Sequence, residues 1–175
     1  MTTEEIRKNI SLYGKDIYSF CCYLAKNKTE ADDLYQDVFL KAMEKKDKMS
    51  DQKNPKSYLL SITVKLWKNY CRKQRWRGII APMDSMDQDD AIDISSELPG
   101  PEEQMIQDEQ SRLVLMSLNH LSDAYRIPVI LYYLNELSLK EIAQCLNLPL
   151  GTVKSRIFKA KRLLKEELEA AGYER

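Results

Sequence analysis

The chain has 175 residues, of which 43% are hydrophobic and 31% charged, a size that suits one medium domain or two small ones. Its 27 basic and 27 acidic residues cancel, and four cysteines without metal-ligand spacing beside a single histidine argue against a zinc site. No apolar run of about 18 residues and no signal-peptide core is present, so we expect a cytoplasmic protein without stable membrane insertion.

The N-terminal segment is predicted to form a long amphipathic helix. Thr2 and Glu5 make a candidate capping box, in which each residue accepts a hydrogen bond from the backbone of the other. Apolar side chains then recur at helical spacing as far as Leu24, so the helix should end near Asn27.

A second helix is expected to open at Thr29 and Asp32. Its predicted inner positions are Leu34, Val38, Phe39, Ala42 and Met43. Three polar side chains share its outer face: Asp33, Gln36 and Asp37. Taken alone, this acidic patch is best explained as a solvated surface near a helix N-terminus.

After a polar loop, a third helix is predicted from about Lys56 to Trp76. Its apolar face contains Leu59, Leu60, Ile62, Val64, Leu66 and Trp67. The opposite face carries cations and two further side chains: Lys65, Lys68, Asn69, Arg72, Arg75 and Trp76. We assign Trp67 to the core, whereas Tyr70 and Trp76 are candidates for stacking on an exposed base.

Residues 77–101 lose helical periodicity and contain Pro82, Pro99 and Gly100. Every charged residue from 58 to 83 is basic, and every charged residue from 84 to 109 is acidic. This charge division predicts a flexible acidic linker that separates two basic segments.

Two helices are predicted before the C-terminal motif. Pro101 should begin the first helix, and Leu121 should close it. The residues that mark this helix are Ile106, Leu113, His120 and either Met116 or Ser117. Ser122 should cap the second, which carries Tyr125, Ile127, Val129, Ile130, Leu131 and Leu134. Pro128 is expected to kink this helix or to delay its start.

The segment from Ser138 to Lys165 predicts a helix-turn-helix. Ser138 and Glu141 form a capping box, and the inner face of the first helix is assigned to Ile142, Ala143 and Leu146. Asn147 tolerates the positive φ of a sharp turn better than most residues. Leu148 should point inward, and Pro149 should close off the first helix.

The second helix of this motif begins at about Leu150 and is expected to bury Val153, Ile157, Ala160 and Leu164. Between residues 151 and 165 the sequence has six basic residues and no acidic one. Such a helix suits DNA, because phosphates attract cations while polar and basic groups read base edges. The alternative is a basic helix that forms only a solvated surface.

The fold class expected from these patterns is all-α, with two small helical domains joined by a flexible acidic linker. The domains are residues 1–76 and 102–175, the linker is 77–101, and the helix-turn-helix lies in the C-terminal domain. The four cysteines, which are Cys21, Cys22, Cys71 and Cys145, are expected to be buried small hydrophobes. We interpret His120 as structural. No grouping of nucleophile, base or metal ligands suggests an enzyme, a metal site or a cofactor.

Three segments, in this order, resemble bacterial RNA polymerase sigma factors of the extracytoplasmic-function (ECF) group. Residues 31–43, ADDLYQDVFLKAM, look like the segment that binds the polymerase clamp, and residues 55–74 look like the promoter-melting helix. Residues 118–165 resemble the C-terminal domain of the family. The resemblance covers nearly the whole chain.

The resemblance implies a role in transcription initiation, with core RNA polymerase (its clamp coiled coil and flap), promoter DNA (duplex and single-stranded) and an anti-sigma factor as partners. Asp33, Gln36 and Asp37 would contact the clamp coiled coil. Lys65, Asn69 and Arg72, together with the loop from 45 to 54, fall where the family captures unpaired minus 10 bases, although many relatives have asparagine at the first position and aspartate at the second.

In the C-terminal domain the resemblance implies recognition of the upstream, minus 35 element. Lys154, Ser155, Phe158 and Lys159 would read it, while Arg156 and Arg162 would hold phosphates. With Thr152, these residues are the predicted minus 35 contacts. The alternative functions are a stand-alone helix-turn-helix regulator, which would bind its operator without polymerase, and a helical signalling adaptor, which would not explain two basic faces.

Overall fold

The computed structural model describes residues 3–45, 54–80 and 112–172, and the regular structure within these ranges is entirely helical. Seven helices lie in them: α1 Thr3–Leu24, α2 Lys28–Glu44, α3 Pro55–Ile80, α4 112–120, α5 Asp123–Tyr133, α6 Leu139–Leu146 and α7 Leu150–Ala170. They form two compact units divided between Asp93 and Ile94. The predicted all-α class is confirmed. Most of the predicted linker, Pro101 and Thr2 lie outside the described residues.

The N-terminal unit is a bundle in which α1, α2 and α3 all pack against one another. Its core is built from apolar stripes on the three helices, including Ile17, Phe20, Leu24, Leu34, Val38, Leu59, Leu60, Val64 and Trp67. Burying a side chain of this kind stabilises the folded state by about 1.5–3 kcal/mol. This burial holds the bundle together, because most of the stability of a helix in a protein comes from the packing of its apolar face.

The start of α2 differs from the prediction. Asn27 is the N-cap: its Oδ1 accepts a hydrogen bond from the Glu30 backbone N–H at 2.9 Å. Glu30 Oε2 in turn accepts one from the Lys26 backbone N–H at 3.1 Å. The expected opening at Thr29 and Asp32 is therefore wrong. Because Asn27 already caps α2, α1 ends earlier, at Leu24.

The ends of α3 also lie outside the predicted range. Asn54 Oδ1 accepts a hydrogen bond from the Ser57 backbone N–H at 3.1 Å, and Pro55 occupies the first helical position, where no N–H is needed. The helix continues past Trp76 to Ile80. Gly78 does not end the helix, although glycine is unfavourable in a helix interior.

Met43 was predicted to lie in the core of the N-terminal unit, but it is 42% exposed. The buried stripe of α2 is Ala31, Leu34, Val38 and Ala42, together with Phe39. Ala42 already supplies the last turn of that stripe, and the next residue along a helix is rotated by about 100°. Met43 therefore lies on the surface.

Gly14 of α1 is buried where α2 approaches closely. A Cβ added there would lie 2.9 Å from the hydroxyl oxygen of Tyr35. The Tyr35 ring cannot easily retreat, because it packs edge-on against Tyr18 and Phe39, with centroid distances of 5.3 and 4.8 Å.

We expect Gly14→Ala to lower the free energy of unfolding of this unit by about 1 kcal/mol, because overpacking outweighs the gain in helix propensity. In a Tyr35→Phe background the same change should raise it by about 1 kcal/mol, because the clashing oxygen is gone. Urea denaturation followed by tryptophan fluorescence isolates this unit, since both tryptophans lie in α3. A Gly14→Ala effect of the same sign in both backgrounds would contradict the clash.

The C-terminal unit packs α5 against α6 and α7, and α6 against α7. One cluster joins Leu118, Leu121, Val129 and Ala160, flanked by Tyr125, Leu163 and Leu164. The sequence left open whether Met116 or Ser117 lies on the inner side of α4. Ser117 is buried, whereas Met116 is 56% exposed. His120 is exposed and its Nδ1 contacts a Glu167 carboxylate oxygen of α7.

Pro128 does not delay α5. The helix begins at Asp123 and continues through Pro128 to Tyr133. Ser122 is the N-cap, but its side chain makes no capping bond. Its backbone oxygen instead accepts hydrogen bonds from the N–H groups of Tyr125 and Arg126, both at 2.9 Å. The hydrogen bonds that start the helix are thus made before the proline, whose missing N–H removes only the bond to the Ala124 carbonyl.

The cysteines are free thiols, but only two are fully buried, Cys21 and Cys145, while Cys22 and Cys71 are half-buried. Burial raises the pKa of the Cys21 thiol to about 12. In the described ranges, no group of three or more histidine, cysteine or acidic side chains is placed to hold a metal ion. The same ranges contain no helix long and apolar enough to span a membrane.

Candidate nucleic-acid interface

The turn between α6 and α7 forms as its local sequence predicts. The Ser138 hydroxyl oxygen accepts a hydrogen bond from the Glu141 backbone N–H at 3.3 Å, and Glu141 Oε2 accepts one from the Ser138 backbone N–H at 2.8 Å. Asn147 adopts the left-handed conformation, with φ 52° and ψ 51°. The N–H groups of Leu148 and Asn147 then close the helix end on the carbonyls of Ala143 and Gln144.

The inner face of α6 is slightly rotated from the predicted one. Ile142, Cys145 and Leu146 are buried, whereas Ala143 is only half-buried. Leu148 is half-buried too, and with Ala143 it borders a shallow surface depression. Cys145 therefore takes part of the packing role that was assigned to Ala143.

Val153, Ile157 and Ala160 bury the inner side of α7 and thereby orient its other faces. The predicted reading face remains at the surface, with Lys154, Ser155, Phe158, Lys159 and Arg162 exposed and Thr152 and Arg156 half-buried. We call these seven residues the α7 face. Ser155, Phe158 and Arg162 follow one another at spacings of three and four, so they form one row along the helix.

Charge is divided along α7. In its C-terminal half, Arg162 lies 3.6 Å from Glu166 and Lys165 lies 3.7 Å from Glu169. Nearer the turn, Lys159 Nζ lies 5.1 Å from the ring centroid of Tyr125, a cation–π distance. The first half of the helix thus presents cations that the acidic residues of the second half do not neutralise. Phe158, 73% exposed, stands among them.

A second exposed cationic face lies on α3. Lys65, Lys68, Asn69, Arg72, Arg75 and Trp76 are all exposed, and we call them the α3 face. Arg72 Nη2 donates a hydrogen bond to Asn69 Oδ1 at 3.1 Å, which orders two of these side chains. Trp76 is 62% exposed, so its ring is open to contact with a base.

Tyr70 does not belong to the α3 face, contrary to the prediction. It is half-buried, and its ring stacks on the buried Trp67 with a centroid distance of 5.5 Å and an interplanar angle of 22°. Its hydroxyl donates a hydrogen bond to Glu30 Oε1 at 2.7 Å. Residues three apart on a helix share one side, so Tyr70 follows Trp67 towards α2. The core assignment of Trp67 is confirmed.

The structure places Asp33, Gln36 and Asp37 together on the exposed side of α2. Leu40, which is 55% exposed, and Met43 continue that row towards the end of the helix. We call these five residues the α2 surface. The sequence prediction missed Leu40 and assigned Met43 to the core. The available signal was the spacing of three from Asp37 to Leu40 and from Leu40 to Met43.

Comparisons with known proteins agree with this arrangement. The family model for Sigma-70 region 2 matches residues 10–77, and that for Sigma-70 region 4 matches residues 111–164. The ECF RNA polymerase sigma factor SigW of Bacillus subtilis (strain 168) is 29% identical over 163 residues, covering 91% of this chain and 86% of that protein. The ECF RNA polymerase sigma-E factor of Escherichia coli (strain K12) is 28% identical over 142 residues, covering 80% of this chain and 74% of that protein.

Solved structures show the same fold. The sigma factor RpoE from Bartonella quintana, crystallised with the anti-sigma factor NepR, matches with a TM-score of 0.75 at 24% identity, over 95% of this chain and 98% of that one. CnrH, solved in complex with the cytosolic domain of CnrY, matches with a TM-score of 0.65 at 18% identity, over 97% of this chain and 90% of that one. The two region matches, together with relatives that cover most of the chain, show the family. The chain belongs to the extracytoplasmic-function group of bacterial RNA polymerase sigma factors, which direct the polymerase to promoters.

Proposed function

We propose that this sigma factor divides promoter recognition between its two units. The C-terminal domain, residues 102–175, reads the minus 35 element as duplex DNA. The N-terminal domain, residues 1–76, docks on the polymerase and captures unpaired minus 10 bases, with residues 77–101 as the connection. The observation that carries the proposal is the presence of one exposed cationic face on each unit, the α7 face and the α3 face.

The α2 surface is proposed to bind the basic coiled coil of the polymerase clamp. Asp33 and Asp37 supply negative charge, which steers association with a basic partner. Leu40 and Met43 add exposed apolar area at the other end of the same row. A partner helix with basic and apolar side chains along one side could pair with the acidic end and remove the apolar end from water, which is favourable in proportion to the apolar area buried.

The α7 face is proposed to enter the major groove. Lys154, Ser155 and Lys159 are placed to reach base edges, and the exposed Phe158 ring suits the methyl group of thymine. Arg156 and Arg162 are assigned to phosphates, and Thr152 completes the α7 face.

The α3 face is proposed to hold bases removed from the stack. Extruding a base costs a few kcal/mol, and stacking on an aromatic side chain returns about 1–3 kcal/mol per base. Trp76 offers that ring, while Arg72, Arg75, Lys65 and Lys68 offer charge for the strand backbone. The α3 face binds these bases only after the strands separate, and this binding offsets the cost of opening the promoter. Opening therefore needs no ATP, so the protein acts as a non-catalytic factor.

Two more specific partners are proposed from the similarity of this chain to known sigma factors. The Bartonella quintana relative was crystallised with an anti-sigma factor, and we propose an anti-sigma partner for this chain. We also propose contact between the C-terminal domain and the polymerase flap. A factor that works on chromosomal promoters with polymerase acts in the cytoplasm.

Arg72→Ala tests the division of labour. With core polymerase and a promoter obtained by run-off selection from a random library, we expect the rate of open-complex formation to fall about tenfold, a size typical of losing a charge-assisted contact. Footprinting should show formation of the initial closed complex within about twofold of wild type. Arg7→Ala, which removes an exposed arginine of α1, is the matched control. Equal losses at both stages would contradict the proposal.

A further inference from the structure

Glu30 connects the two functional helices of the N-terminal unit. It lies in the first turn of α2, where its backbone N–H donates to the N-cap Asn27 at 2.9 Å. One carboxylate oxygen accepts from the Lys26 N–H at 3.1 Å, and the other accepts from the Tyr70 hydroxyl at 2.7 Å, 40 residues away in sequence. A single half-buried carboxylate thus caps α2 and contacts α3.

Tyr70 lies at the point where α3 leaves the bundle. Trp67 is the last fully buried side chain described on this helix, and Tyr70 and Cys71 are the last half-buried ones. Every side chain from Arg72 to Gly78 is exposed. We call the segment from Arg72 onward the exposed end of α3; it carries Arg72, Arg75 and Trp76, three residues of the α3 face.

We infer that Glu30 is a positioning residue for strand capture: by holding Tyr70 against Trp67, it fixes the direction in which the exposed end of α3 projects. The inference rests on the proposed function of the α3 face. It assigns Glu30 no contact with DNA or polymerase.

The strength of the contact follows from its chemistry. A hydrogen bond to an ionised carboxylate is roughly twice as strong as one between neutral groups. Burial first, and the hydrogen bond to Glu30 second, raise the pKa of Tyr70, so its hydroxyl stays protonated and donates. Gln74 Nε2 donates to the same hydroxyl oxygen at 3.0 Å, which extends the network by one turn.

Small movements at Tyr70 matter for geometrical reasons. Trp76 lies six residues further on, roughly 9 Å along the helix axis. A tilt of about ten degrees at Tyr70 would therefore move Trp76 by roughly 1.6 Å. Misplacing a contact group by about 1 Å can cost a large factor in rate.

Glu30 also lies on the helix that carries the α2 surface, which is proposed to dock on the polymerase. Asp33 and Asp37 follow Glu30 on α2 at spacings of three and four, so all three lie on neighbouring positions of one side. A polymerase bound to the α2 surface would therefore hold the helix from which Tyr70 is anchored.

Tyr70→Phe removes the hydroxyl while keeping the ring. On the selected duplex promoter we expect open-complex formation to slow about tenfold, with affinity for core polymerase unchanged. On the same promoter carrying a mismatched, already open minus 10 region, the loss should shrink to about twofold or less, because a free strand can adapt to a displaced helix. Arg72→Ala, which removes a direct contact, should remain defective on both templates.

Two further variants separate positioning from folding. Tyr58→Phe removes another half-buried hydroxyl from α3 and should leave both rates unchanged. Glu30→Ala removes the acceptor of the Tyr70 hydroxyl together with the Lys26 contact, so it should be at least as slow as Tyr70→Phe. The double variant should be no slower than Glu30→Ala alone, since the Tyr70 contact is already lost in that variant.

The outcomes distinguish the inference from the function on which it rests. If Arg72→Ala slows opening while Tyr70→Phe does not, the positioning role is wrong and the proposed function stands. A Tyr70→Phe defect equally large on both templates, or matched by weaker polymerase binding, also overturns the positioning role. If Arg72→Ala is neutral on both templates, the proposed function of the α3 face is itself wrong.

Discussion

Asp37→Lys is expected to reduce the affinity of the protein for core RNA polymerase by about 100-fold or more. Asp37 is exposed at the centre of the α2 surface, between the acidic and the apolar ends of the row. Facing a basic coiled coil, the new lysine replaces an attraction by a like-charge contact that costs several kcal/mol. Each 1.4 kcal/mol corresponds to a factor of ten in affinity. The double variant with Asp33→Lys should show no detectable complex.

The measurement is a titration of labelled protein with core polymerase at two salt concentrations. Glu4→Lys is the control: it reverses another exposed acid of the same unit, on α1. It should leave the affinity within about twofold. Leu40→Ala should weaken binding with little change in salt dependence, because it removes apolar contact rather than charge. Equal effects of Asp37→Lys and Glu4→Lys would mean that net charge, not the α2 surface, governs docking.

Lys154→Ala combined with Lys159→Ala is expected to reduce discrimination for the minus 35 element by about 100-fold. A well-placed base contact contributes about 1–3 kcal/mol of discrimination, so losing two has a large effect. Lys159 Nζ lies 5.1 Å from the centroid of the Tyr125 ring, on the half of α7 nearer the turn. Holoenzyme binding to the selected promoter should be compared with binding to the same promoter with a scrambled minus 35 sequence.

Two single variants accompany that experiment, one that removes a proposed phosphate contact and one that serves as a control. Arg162→Ala should weaken binding to both promoters alike and reduce the salt slope by about 0.9, as expected for one phosphate contact. Lys165→Ala removes a cation of the same helix that lies outside the α7 face, and it should change neither quantity measurably. If the double lysine variant weakens both promoters equally, Lys154 and Lys159 hold phosphates and do not read bases.

The helix-turn-helix shows why some of this structure was predictable from the sequence. Its capping box joins Ser138 and Glu141, three residues apart, and its turn depends on the conformational tolerance of Asn147. Both are local interactions that form whenever the neighbouring residues are helical. The predicted α7 face followed as well, because Val153, Ile157 and Ala160 define the buried side and hence the exposed one.

Errors arose where two local solutions competed. Thr29 was predicted to open α2, whereas the structure uses Asn27 as N-cap together with Glu30, whose carboxylate reaches both Lys26 and Tyr70. Met43 had a suitable spacing for the core but lies beside the last buried turn of α2. Such choices depend on which neighbouring helix is present, which periodicity does not encode.

By itself, the sequence determined the helical class, the turn of the DNA-binding motif and the positions of the cationic faces, because these depend on hydrogen bonds and spacings within a few residues. Only the tertiary structure decided that Tyr70 leaves the α3 face to stack on Trp67 and to bond Glu30, and that Leu40 and Met43 extend the α2 surface. The physical reason is that burial depends on contacts between helices distant in sequence, and a side chain becomes core or surface only when its neighbours are in place.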